Sequence, residues 1–575
     1  MPRLEIEGFG SFNVSEGSNL LEILREKGVP IAAGCGGLGL CGLCKLKVKS
    51  SRLSEPTERE KKLLGDMLRD GWRLACQVYV MDDTSVELMI KKKGFKFRIR
   101  PSVKVANPLL LVPVNVSNEG ESIEEELFTT LQKLGAEVNR STTLALNKMA
   151  LTASREGVSK VAVIAEKELL DLAEDCRGYG LAVDVGTTSI AVSLVDLTSG
   201  ELIDERATLN SQIRFGSDVI SRIQYSLVHH NGVKQLQESV ISTVNQLVNE
   251  IGVPATSVYK VTVSGNSVML HLFYGVTPKT LGFLPFKPVY RRGLIARAGE
   301  LGLKAHPCAK VESLPILGGY VGGDVVGDVL AAELFEYRTA MLIDVGTNGE
   351  VVIKKNDQYV AASTPAGPAF EGVGLYSGMM AIEGAIEKVG VEPDGKTAYE
   401  VIGEGPPRGI CGSGYVDLLA ELLRKGLLTR EGRLLSGPGV REVNGVTAFL
   451  VDEEHGILLT QPDVRKLQLA VAAVKLTAKF AMEQLGVELC KLEKVIVAGD
   501  FGYHLDPCNA IEIGLLPKVD RVIVEFIGNG SLTGAELYMV SNEARQKVWE
   551  LLGKCRVLDV PRDEKAFINE LKLGW

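Results

Sequence analysis

Four cysteines near the start of the chain have the spacing of an iron–sulfur ligand set. Cys35, Cys41 and Cys44 form the pattern C-x5-C-x2-C in the glycine-rich run GCGGLGLCGLCK, and Cys76 follows after 31 intervening residues. Thiolates in a tight triplet with one distant partner are typical of a [2Fe-2S] cluster. Zinc is the alternative, although zinc ligands more often come as two paired C-x2-C arms. The sequence therefore predicts a [2Fe-2S] centre, which handles electrons.

Two later segments repeat a pattern that suits phosphate binding. LAVDVGTTSIAVSLVD spans 181–196 and MLIDVGTNGEVVI spans 341–353; each is an apolar strand, then Asp-Val-Gly-Thr, then a second strand. Glycine lets the backbone approach a phosphate closely, and turn amides and hydroxyls donate to its oxygens. Asp184 and Asp344 can hold a hydrated Mg²⁺ that bridges phosphates. The predicted phosphate contacts are Gly186, Thr187, Thr188, Gly346, Thr347 and Asn348.

The paired hairpins resemble the phosphate-1 and phosphate-2 loops of the sugar kinase, actin and heat-shock chaperone superfamily. The segment VIVAGDFG, residues 495–502, is similar to the adenosine motif of that superfamily. It departs from the usual Gly-Gly pair, because this chain has Ala498 before Gly499. The resemblance implies that Gly499 and Gly502 lie against the nucleotide.

The same resemblance implies two helices that connect the lobes of the ATPase. GGDVVGDVLAAEL, residues 322–334, is similar to the first connecting helix, and GNGSLTGAELYM, residues 528–539, to the second. Their small residues would let the helices cross closely, as a hinge requires. Asp324 stands where relatives carry the residue that orients the attacking water, with Asp328 as the reserve. A helix-capping or surface carboxylate is the alternative interpretation of Asp324.

Three further glycine-rich stretches have the composition of loops that face a cleft. SGNSVMLHLF covers 264–273, GPAFEGVG covers 367–374 and GICGSGYVD covers 409–417. The first is a candidate for an added phosphate or lobe-closure contact and the third for a position near the base, and structural turns are an equally good interpretation of each. His271, on a helix predicted after SGNS, is interpreted as a packing or capping residue rather than a catalyst.

One segment matches the sequence pattern of a phosphate-binding loop but lacks the flanking strand and helix of such a loop. GVEPDGKT, residues 390–397, matches G-x4-G-K-[ST]. A working loop of this kind follows a buried strand and opens a helix. Here the preceding AIEGAIEKV is predicted to be helical, and a strand is predicted to follow. Lys396 is therefore interpreted as a hairpin-turn residue.

The chain is predicted to be a multidomain α/β and α+β protein. A length of 575 residues is too great for one core. Residues 1–92 are predicted to form a β-grasp [2Fe-2S] ferredoxin-like domain, 93–115 a linker that passes into a new strand, and 116–176 a small middle α+β domain. From 177 to 575, strands alternate with amphipathic helices, which predicts a two-lobed actin-like ATPase fold.

Composition restricts the classes of partner. Hydrophobic content is 45%, charged content is 24%, and the net charge is −8. This balance argues against a nucleic-acid partner, and no apolar run reaches the roughly 18 residues of a membrane span. Ten cysteines, four of them assigned to a cluster, fit a reducing cytoplasm. The expected location is therefore cytoplasmic.

The combination of a [2Fe-2S] domain with a two-lobed ATPase predicts electron transfer that ATP drives. It resembles the family of reductive activators of corrinoid-dependent methyltransferase systems, and SGNSVMLH, GGYVGGD, PAGPAFEG and GSLTGA are similar to that family's signature stretches. The resemblance implies reduction of a Co(II) corrinoid to Co(I), a homodimer, and an upstream low-potential electron donor. The implied partner is a corrinoid iron–sulfur protein or a corrinoid methyltransferase component.

Three other functions are compatible with parts of this pattern. An ATP-driven activator of a dehydratase or reductase would also inject electrons, but such activators usually lack a ferredoxin domain. A small-molecule kinase with a redox-sensing ferredoxin would yield a phosphorylated product. A carrier with a degenerate ATPase scaffold would not need its Asp-Gly-Thr loops.

Overall fold

The structure is a computed structural model, and fourteen stretches of the chain are described. They are residues 2–6, 10–27, 29, 39, 44–87, 105–106, 108–116, 122–153, 159–174, 176–346, 348–364, 366–499, 505–560 and 564–575. None of the helices in these stretches is long and apolar enough to cross a membrane.

The N-terminal domain is a mixed five-stranded sheet packed against a short helix, in the predicted β-grasp order. The sheet order is β2-β1-β7-β4-β5, and β1 and β7 are parallel. Thr57 and Glu60 form a capping box at the start of α2, and buried Glu60 also pairs with Arg73 of β5. This pairing fixes α2 on the sheet. The elements are β1 Arg3–Ile6, β2 Gly10–Asn13, β3 Ser18–Asn19, α1 Leu20–Glu26, β4 Lys45–Ser50, α2 Glu58–Leu64, β5 Trp72–Leu74, β6 Tyr79–Val80 and β7 Thr84–Glu87.

A small four-stranded α+β domain follows. Its elements are β8 Leu110–Asn115, α3 Ile123–Lys133, β9 Arg140–Ser141, α4 Thr143–Ala153, β10 Ser159–Ala165 and β11 Glu168–Ala173, in the sheet order β8-β10-β11-β9. Strand β8 lies at the end of segment 93–115, where the predicted linker passes into a new strand, and it pairs along its length with β10. The small domain therefore begins before residue 116, because apolar Leu110–Val114 forms the edge strand of its sheet.

The first ATPase lobe is a six-stranded sheet with helices on its faces. Its sheet order is β14-β13-β12-β15-β17-β16. The elements are β12 Tyr179–Val185, β13 Ser189–Asp196, β14 Leu202–Leu209, α5 Val219–Val228, α6 Gly232–Ile251, β15 Val258–Gly265, α7 Ser267–Phe273, β16 Ile295–Arg297, α8 Ala298–Leu301 and β17 Lys310–Ser313, followed by the connecting helix α9 Gly323–Ala331.

The second lobe has a sheet of the same plan, with the order β28-β27-β18-β19-β20-β29. Two small three-stranded sheets, β22-β21-β23 and β24-β25-β26, extend it. The elements are β18 Thr339–Val345, β19 Gly349–Lys355, β20 Gln358–Thr364, β21 Ala385–Val391, β22 Thr397–Val401, β23 Gly409–Ile410, α10 Gly412–Arg424, β24 Val440–Val443, β25 Val446–Asp452, β26 Ile457–Thr460, α11 Gln461–Leu485, β27 Lys494–Ala498, α12 Pro507–Ile513, β28 Val524–Gly528, α13 Gly530–Val540, α14 Asn542–Lys554, β29 Cys555–Val557 and α15 Glu564–Asn569.

The two lobes place their Asp-Val-Gly-Thr hairpins at equivalent positions. In the first lobe β12 turns back into β13 and runs parallel to β15, with Asp184 beside Ser264. In the second lobe β18 turns back into β19 and runs parallel to β27, with Asp344 beside Ala498. The predicted relation between the two halves is therefore visible in the strand order and register.

Helices α9 and α13 cross between the lobes at two glycines. A Cβ atom on Gly534 would lie 2.1 Å from Cα of Gly327, and one on Gly327 would lie 2.7 Å from the Ser531 carbonyl oxygen. Only residues without a side chain allow this approach. The small residues predicted to permit a close crossing do so.

The rejected phosphate-loop segment is a β-hairpin. Strands β21 and β22 pair antiparallel, with Val391 beside Thr397, and the turn between them contains Gly395 at a φ of +84°. Lys396 is in this turn, as predicted. The helix predicted before the turn is wrong, because residues 385–391 pair with β22 and bury alternate side chains in the lobe core.

Candidate functional site

The antiparallel pairing of β4 with β5 brings two of the four predicted cluster ligands together. Cys44 directly precedes β4, Cys76 follows β5, and the amide of Ala75 donates to the Cys44 carbonyl at 2.9 Å. The two Sγ atoms are 3.3 Å apart, and both side chains are buried. This separation is well beyond the roughly 2.05 Å of a disulfide bond. Cys35 and Cys41 lie outside the described residues.

The electrostatics at Cys76 favour a thiolate. A hydrogen bond from Cys44 is the largest cause that lowers the pKa of the Cys76 thiol, to about 6, and the Gln77 side chain contributes as well. A thiolate is the form that ligates iron. Two buried, adjacent sulfur atoms, one with a lowered pKa, therefore fit part of the ligand set of an iron–sulfur cluster.

In the first lobe, the carboxylate of Asp184 accepts hydrogen bonds from two residues at the start of α13. Asn529 Nδ2 donates to Oδ2 at 2.9 Å, and Ser531 Oγ donates to Oδ1 at 2.7 Å. Ser531 Oγ also lies 2.8 Å from Ser264 Oγ at the end of β15. Asn529 and Ser531 were missed by the sequence analysis, although they border the glycine-rich start of the predicted second connecting helix.

In the second lobe, Asp344 lies among other carboxyl groups. Burial raises the pKa of Asp344 to about 6, and repulsion from Asp184 adds to the shift. Asp328 of α9 lies near Asp344, and burial followed by repulsion from Asp344 raises the pKa of Asp328 well above its ordinary value. Burial and the same neighbour raise the pKa of Asp324 to about 8. Both α9 acids therefore face the carboxylates at the ends of β12 and β18.

A fifth acid, Glu350 of β19, closes this group. It is 4% exposed, and burial followed by repulsion from Asp324 and Asp344 raises its pKa well above the ordinary value. Within the described stretches, no three acidic, His or Cys side chains converge as a ready-made metal cage. Mg²⁺ usually keeps several waters and takes one or two carboxylates together with substrate phosphates. The acids between the lobes are suited to this kind of binding, in which Mg²⁺ enters the site together with the phosphates of a ligand.

Two asparagine side chains donate hydrogen bonds to the turn of the first hairpin. Asn210 Nδ2 donates to the Gly186 carbonyl at 2.8 Å, and Asn266 Nδ2 donates to Thr187 Oγ1 at 3.0 Å. A Cβ on Gly186 would lie 2.7 Å from the Ser189 carbonyl oxygen, so the turn requires glycine. Asn266 belongs to the SGNS stretch, which therefore supports the first hairpin from within the same lobe; a phosphate contact by this stretch stays a prediction.

The hydroxyl of Thr188 reaches across to the second lobe. Thr188 Oγ1 donates to Glu371 Oε2 at 2.9 Å. Glu371 ends the short turn Pro368–Glu371 in the GPAFEGVG stretch. The composition of this stretch predicts a loop that faces a cleft, but no local pattern distinguishes Glu371 within it.

The second hairpin and the β27 terminus approach each other closely. The Gly346 amide donates to the Asn348 carbonyl at 3.1 Å, and Thr347 lies outside the described residues. Gly499 has a φ of +95°, and a Cβ there would lie 2.9 Å from Asp344 Oδ1. Gly502 also lies outside the described residues. In the first lobe Gly265 ends β15 in the same manner, with a φ of +149°.

His271 is a structural residue, as predicted. It is fully buried, its Nδ1 lies 2.6 Å from the Ser267 carbonyl oxygen, and its Nε2 accepts from the Val289 amide at 3.0 Å. Burial lowers the pKa of its imidazole. Both ring nitrogens are used within the first lobe.

Three family profiles match the chain in order. Residues 5–81 match the 2Fe-2S iron-sulfur cluster binding domain, 179–337 the RACo middle region, and 338–573 the C-terminal domain of RACo, described as the ASKHA domain. The last boundary falls between α9 and β18. The profile called the middle region therefore covers the first lobe rather than the small α+β domain before it.

Several relatives match over most of the chain. The corrinoid activation enzyme RamQ of Eubacterium limosum is 33% identical, over 94% of this chain and 93% of its own length. The [Co(II) methylated amine-specific corrinoid protein] reductase of Methanosarcina barkeri is 26% identical, over 65% of this chain and 72% of its own length. A solved structure, the reductive activator for corrinoid,iron-sulfur protein, is 29% identical, with a TM-score of 0.74 over 99% of this chain and 97% of that one.

Proposed function

The chain belongs to the family of reductive activators of corrinoid proteins, and on that premise we propose that it uses ATP to drive one electron from a [2Fe-2S] cluster to the Co(II) corrinoid of a partner, restoring Co(I). The observation that carries this proposal is the presence in one chain of two distinct parts. A buried thiol pair lies in a cluster-binding domain, and a cleft between two equivalent lobes is lined by acids. The relatives that share this architecture are named for corrinoid activation.

The proposed cluster ligands are Cys35, Cys41, Cys44 and Cys76. Burial of Cys44 and Cys76 keeps water from the sulfur atoms, and the low pKa of Cys76 maintains a thiolate at neutral pH. The cluster would supply a one-electron store. The protein's part is to bring Cys44 and Cys76 together, with their Sγ atoms 3.3 Å apart, through the β4–β5 pairing.

The proposed nucleotide site lies between the two hairpins. Asp184 and Asp344 would hold hydrated Mg²⁺, which neutralises phosphate charge. Asp324, on the first connecting helix, would orient the attacking water. The phosphate contacts proposed in the turns are Gly186, Thr187, Thr188, Gly346, Thr347 and Asn348, and Gly499 and Gly502 are proposed to lie against the adenosine.

ATP can supply the driving force that a low-potential acceptor demands. For one electron, a gap of roughly 250 mV corresponds to about 6 kcal/mol. A nucleotide that binds two protein states with different affinity shifts their populations by up to that order. The two proposed states are an open and a closed arrangement of the lobes, which rotate about the α9–α13 crossing. This crossing is chosen because the acids on α9 and the donors on α13 both face the nucleotide site.

The finer partner assignments are proposals as well. We expect a corrinoid iron–sulfur protein or a corrinoid methyltransferase component as the acceptor, and a low-potential protein as the electron donor. A homodimer through the ATPase region and a cytoplasmic location complete the proposal. The reducing environment implied by the isolated cysteines is the argument for that location.

The test is an anaerobic reduction assay. Chemically reduced protein is mixed with a Co(II) corrinoid protein, and cobalt absorbance is followed with and without Mg-ATP. We expect Co(I) only with ATP, and none with the Asp344→Ala variant. ATP turnover without Co(I) across several corrinoid partners would overturn the proposal in favour of a dehydratase activator or, if a phosphorylated product appears, a kinase. An Asp344→Ala variant that kept the full rate would indicate a simple carrier.

A further inference from the structure

One segment of the second lobe contacts both the first phosphate hairpin and the cluster domain. Residues 371–379 are called the coupling segment here. At one end, Glu371 accepts the 2.9 Å hydrogen bond from Thr188. At the other end, the Gly378 carbonyl accepts from Lys45 Nζ at 3.0 Å. Lys45 directly follows Cys44, so one segment spans from the nucleotide side to a cluster ligand.

The two ends of the coupling segment are in direct contact with each other. A Cβ on Gly372 would lie 2.1 Å from the Met379 carbonyl oxygen, and one on Gly378 would lie 2.1 Å from the Gly372 carbonyl oxygen. Backbones packed this closely cannot move independently, because interiors are nearly incompressible. A displacement of Glu371 is therefore passed to Gly378 without travelling through the intervening residues.

The cluster domain contacts the second lobe through the Lys45 bond and at two further described points. Besides the Lys45 bond, the Tyr376 hydroxyl lies against Gly65, 3.1 Å from where a Cβ would stand. Arg408 and Glu87 form an ion pair at 3.0 Å, with both side chains about one-third exposed. Exposed pairs of this kind contribute only about 0–1 kcal/mol. A modest change in the coupling segment can therefore alter how the domain docks.

We propose that Glu371 and Lys45 are positioning residues through which bound nucleotide releases the cluster domain from the second lobe. A threonine hydroxyl has one proton to donate. When a bound phosphate accepts the hydrogen bond of the Thr188 hydroxyl instead, Glu371 loses this hydrogen bond and its carboxylate is repelled by the phosphate charge. The coupling segment then shifts, and the Lys45–Gly378 hydrogen bond is weakened. This inference rests on the proposed nucleotide site and adds the route from that site to the cluster.

The test measures how accessible the Lys45 amine is, with Lys49 as the internal reference. Lys49 lies on the same strand and is exposed. The full-length protein with its cluster is treated anaerobically with an acetylating reagent, with and without Mg²⁺ and a non-hydrolysable ATP analogue, and labelling is read by mass spectrometry. We expect nucleotide to raise the Lys45-to-Lys49 ratio about fivefold, the lower end of typical coupling between sites.

Two variants of Glu371 separate coupling from folding. In Glu371→Ala the ratio should be high without nucleotide and insensitive to it. In Glu371→Gln the amide oxygen still accepts from Thr188, so the ratio without nucleotide should stay low. The iron–sulfur absorbance of each variant checks that the cluster is intact. A Glu371→Ala variant that responds like the unaltered protein would overturn the role of Glu371.

Calorimetry of the same nucleotide distinguishes the two proposals. If the analogue binds and the labelling ratio does not change, the coupling is wrong and the proposed function stands. If no binding is detected, the nucleotide site is wrong and the coupling fails with it. Lys45→Met adds a catalytic readout: ATP hydrolysis should persist while its link to cobalt reduction weakens, and Lys45→Arg should restore that link.

Discussion

The two hairpins share the turn sequence Asp-Val-Gly-Thr, but the aspartates of the two turns have different neighbours. Asp184 accepts hydrogen bonds from Asn529 and Ser531, both neutral donors on α13. Asp344 instead faces Asp328 on α9, and burial with nearby negative charge raises its pKa to about 6. The hairpins are alike because a glycine turn determines the backbone. They differ because each crossing helix brings its own side chains to the carboxylate.

This contrast indicates that the two lobes have different roles in Mg²⁺ binding. A carboxylate held by neutral donors is oriented before any ligand arrives. A carboxylate among other acids is poised to gain a cation, because the cation removes the repulsion. We therefore expect the first lobe to position Mg²⁺ and the second lobe to respond to it.

The largest expected effect comes from deleting either carboxylate. Asp184→Ala and Asp344→Ala should each lower ATP turnover by about 100-fold or more, the usual scale for losing a group that stabilises developing charge. Phosphate release measures the effect, and the absorbance of the reduced cluster is the control for folding. Retention of most of the turnover in either variant would show that the hairpins are not equivalent partners in the site.

A smaller effect is expected at the glycine beside Asp344. Gly499→Ala forces a side chain into a φ of +95° and against the carboxylate, which should cost about 2 kcal/mol of unfolding free energy and weaken nucleotide binding. Thermal unfolding and calorimetry measure the two losses. Gly553→Ala is the matched control, because no heavy atom lies within 4 Å of a Cβ there. Equal stability of the two variants would contradict the close approach.

The acids near Asp344 predict a specific pH dependence of stability. The folded-state pKa values of Asp344, about 6, and Asp324, about 8, both exceed the ordinary value of 3.8. The folded state thus holds more protons than the unfolded state between about pH 4 and pH 8. The free energy of unfolding should therefore fall across this window as pH rises.

Asp324→Asn isolates one contribution to that pH dependence. The variant should lose the contribution of Asp324 across the whole window from about pH 4 to pH 8. Above about pH 6, where the contribution of Asp344 has ended, this loss is on the order of 2 kcal/mol. Denaturant titrations in a chelator at several pH values measure this loss. A decline that is identical in the variant would show that Asp324 does not titrate in this range.

The smallest effect is expected on the side of Asp184. Ser531→Ala removes the 2.7 Å hydrogen bond to Asp184 and should cost about 1 kcal/mol of unfolding free energy. It should also lower affinity for Mg-nucleotide modestly, because Asp184 loses part of its orientation. Titration of Mg²⁺ at fixed nucleotide detects this change. An unchanged Mg²⁺ dependence would argue that the Asn529 bond alone orients Asp184.

Local patterns predicted much of this architecture. Alternating apolar strands around Gly186 and Gly346 predicted the two hairpins, and small residues at Gly327 and Gly534 predicted the helix crossing. One local prediction is wrong: residues 381–389 are predicted to be helical, whereas 385–391 form a strand. The alanine, glutamate and lysine residues of this segment favour a helix, and pairing with β22 and β23 overrides that propensity.

Sequence alone determined the chemistry that is local. Cysteine spacing indicated an iron–sulfur cluster, and the repeated Asp-Val-Gly-Thr turns indicated a phosphate site, since each motif contains its own ligands or turn geometry. Tertiary structure decided which groups meet. Ser531 contacts Asp184, Glu371 contacts Thr188, and Lys45 contacts Gly378 across 333 positions. Packing of separate elements makes such contacts, and no local periodicity encodes them.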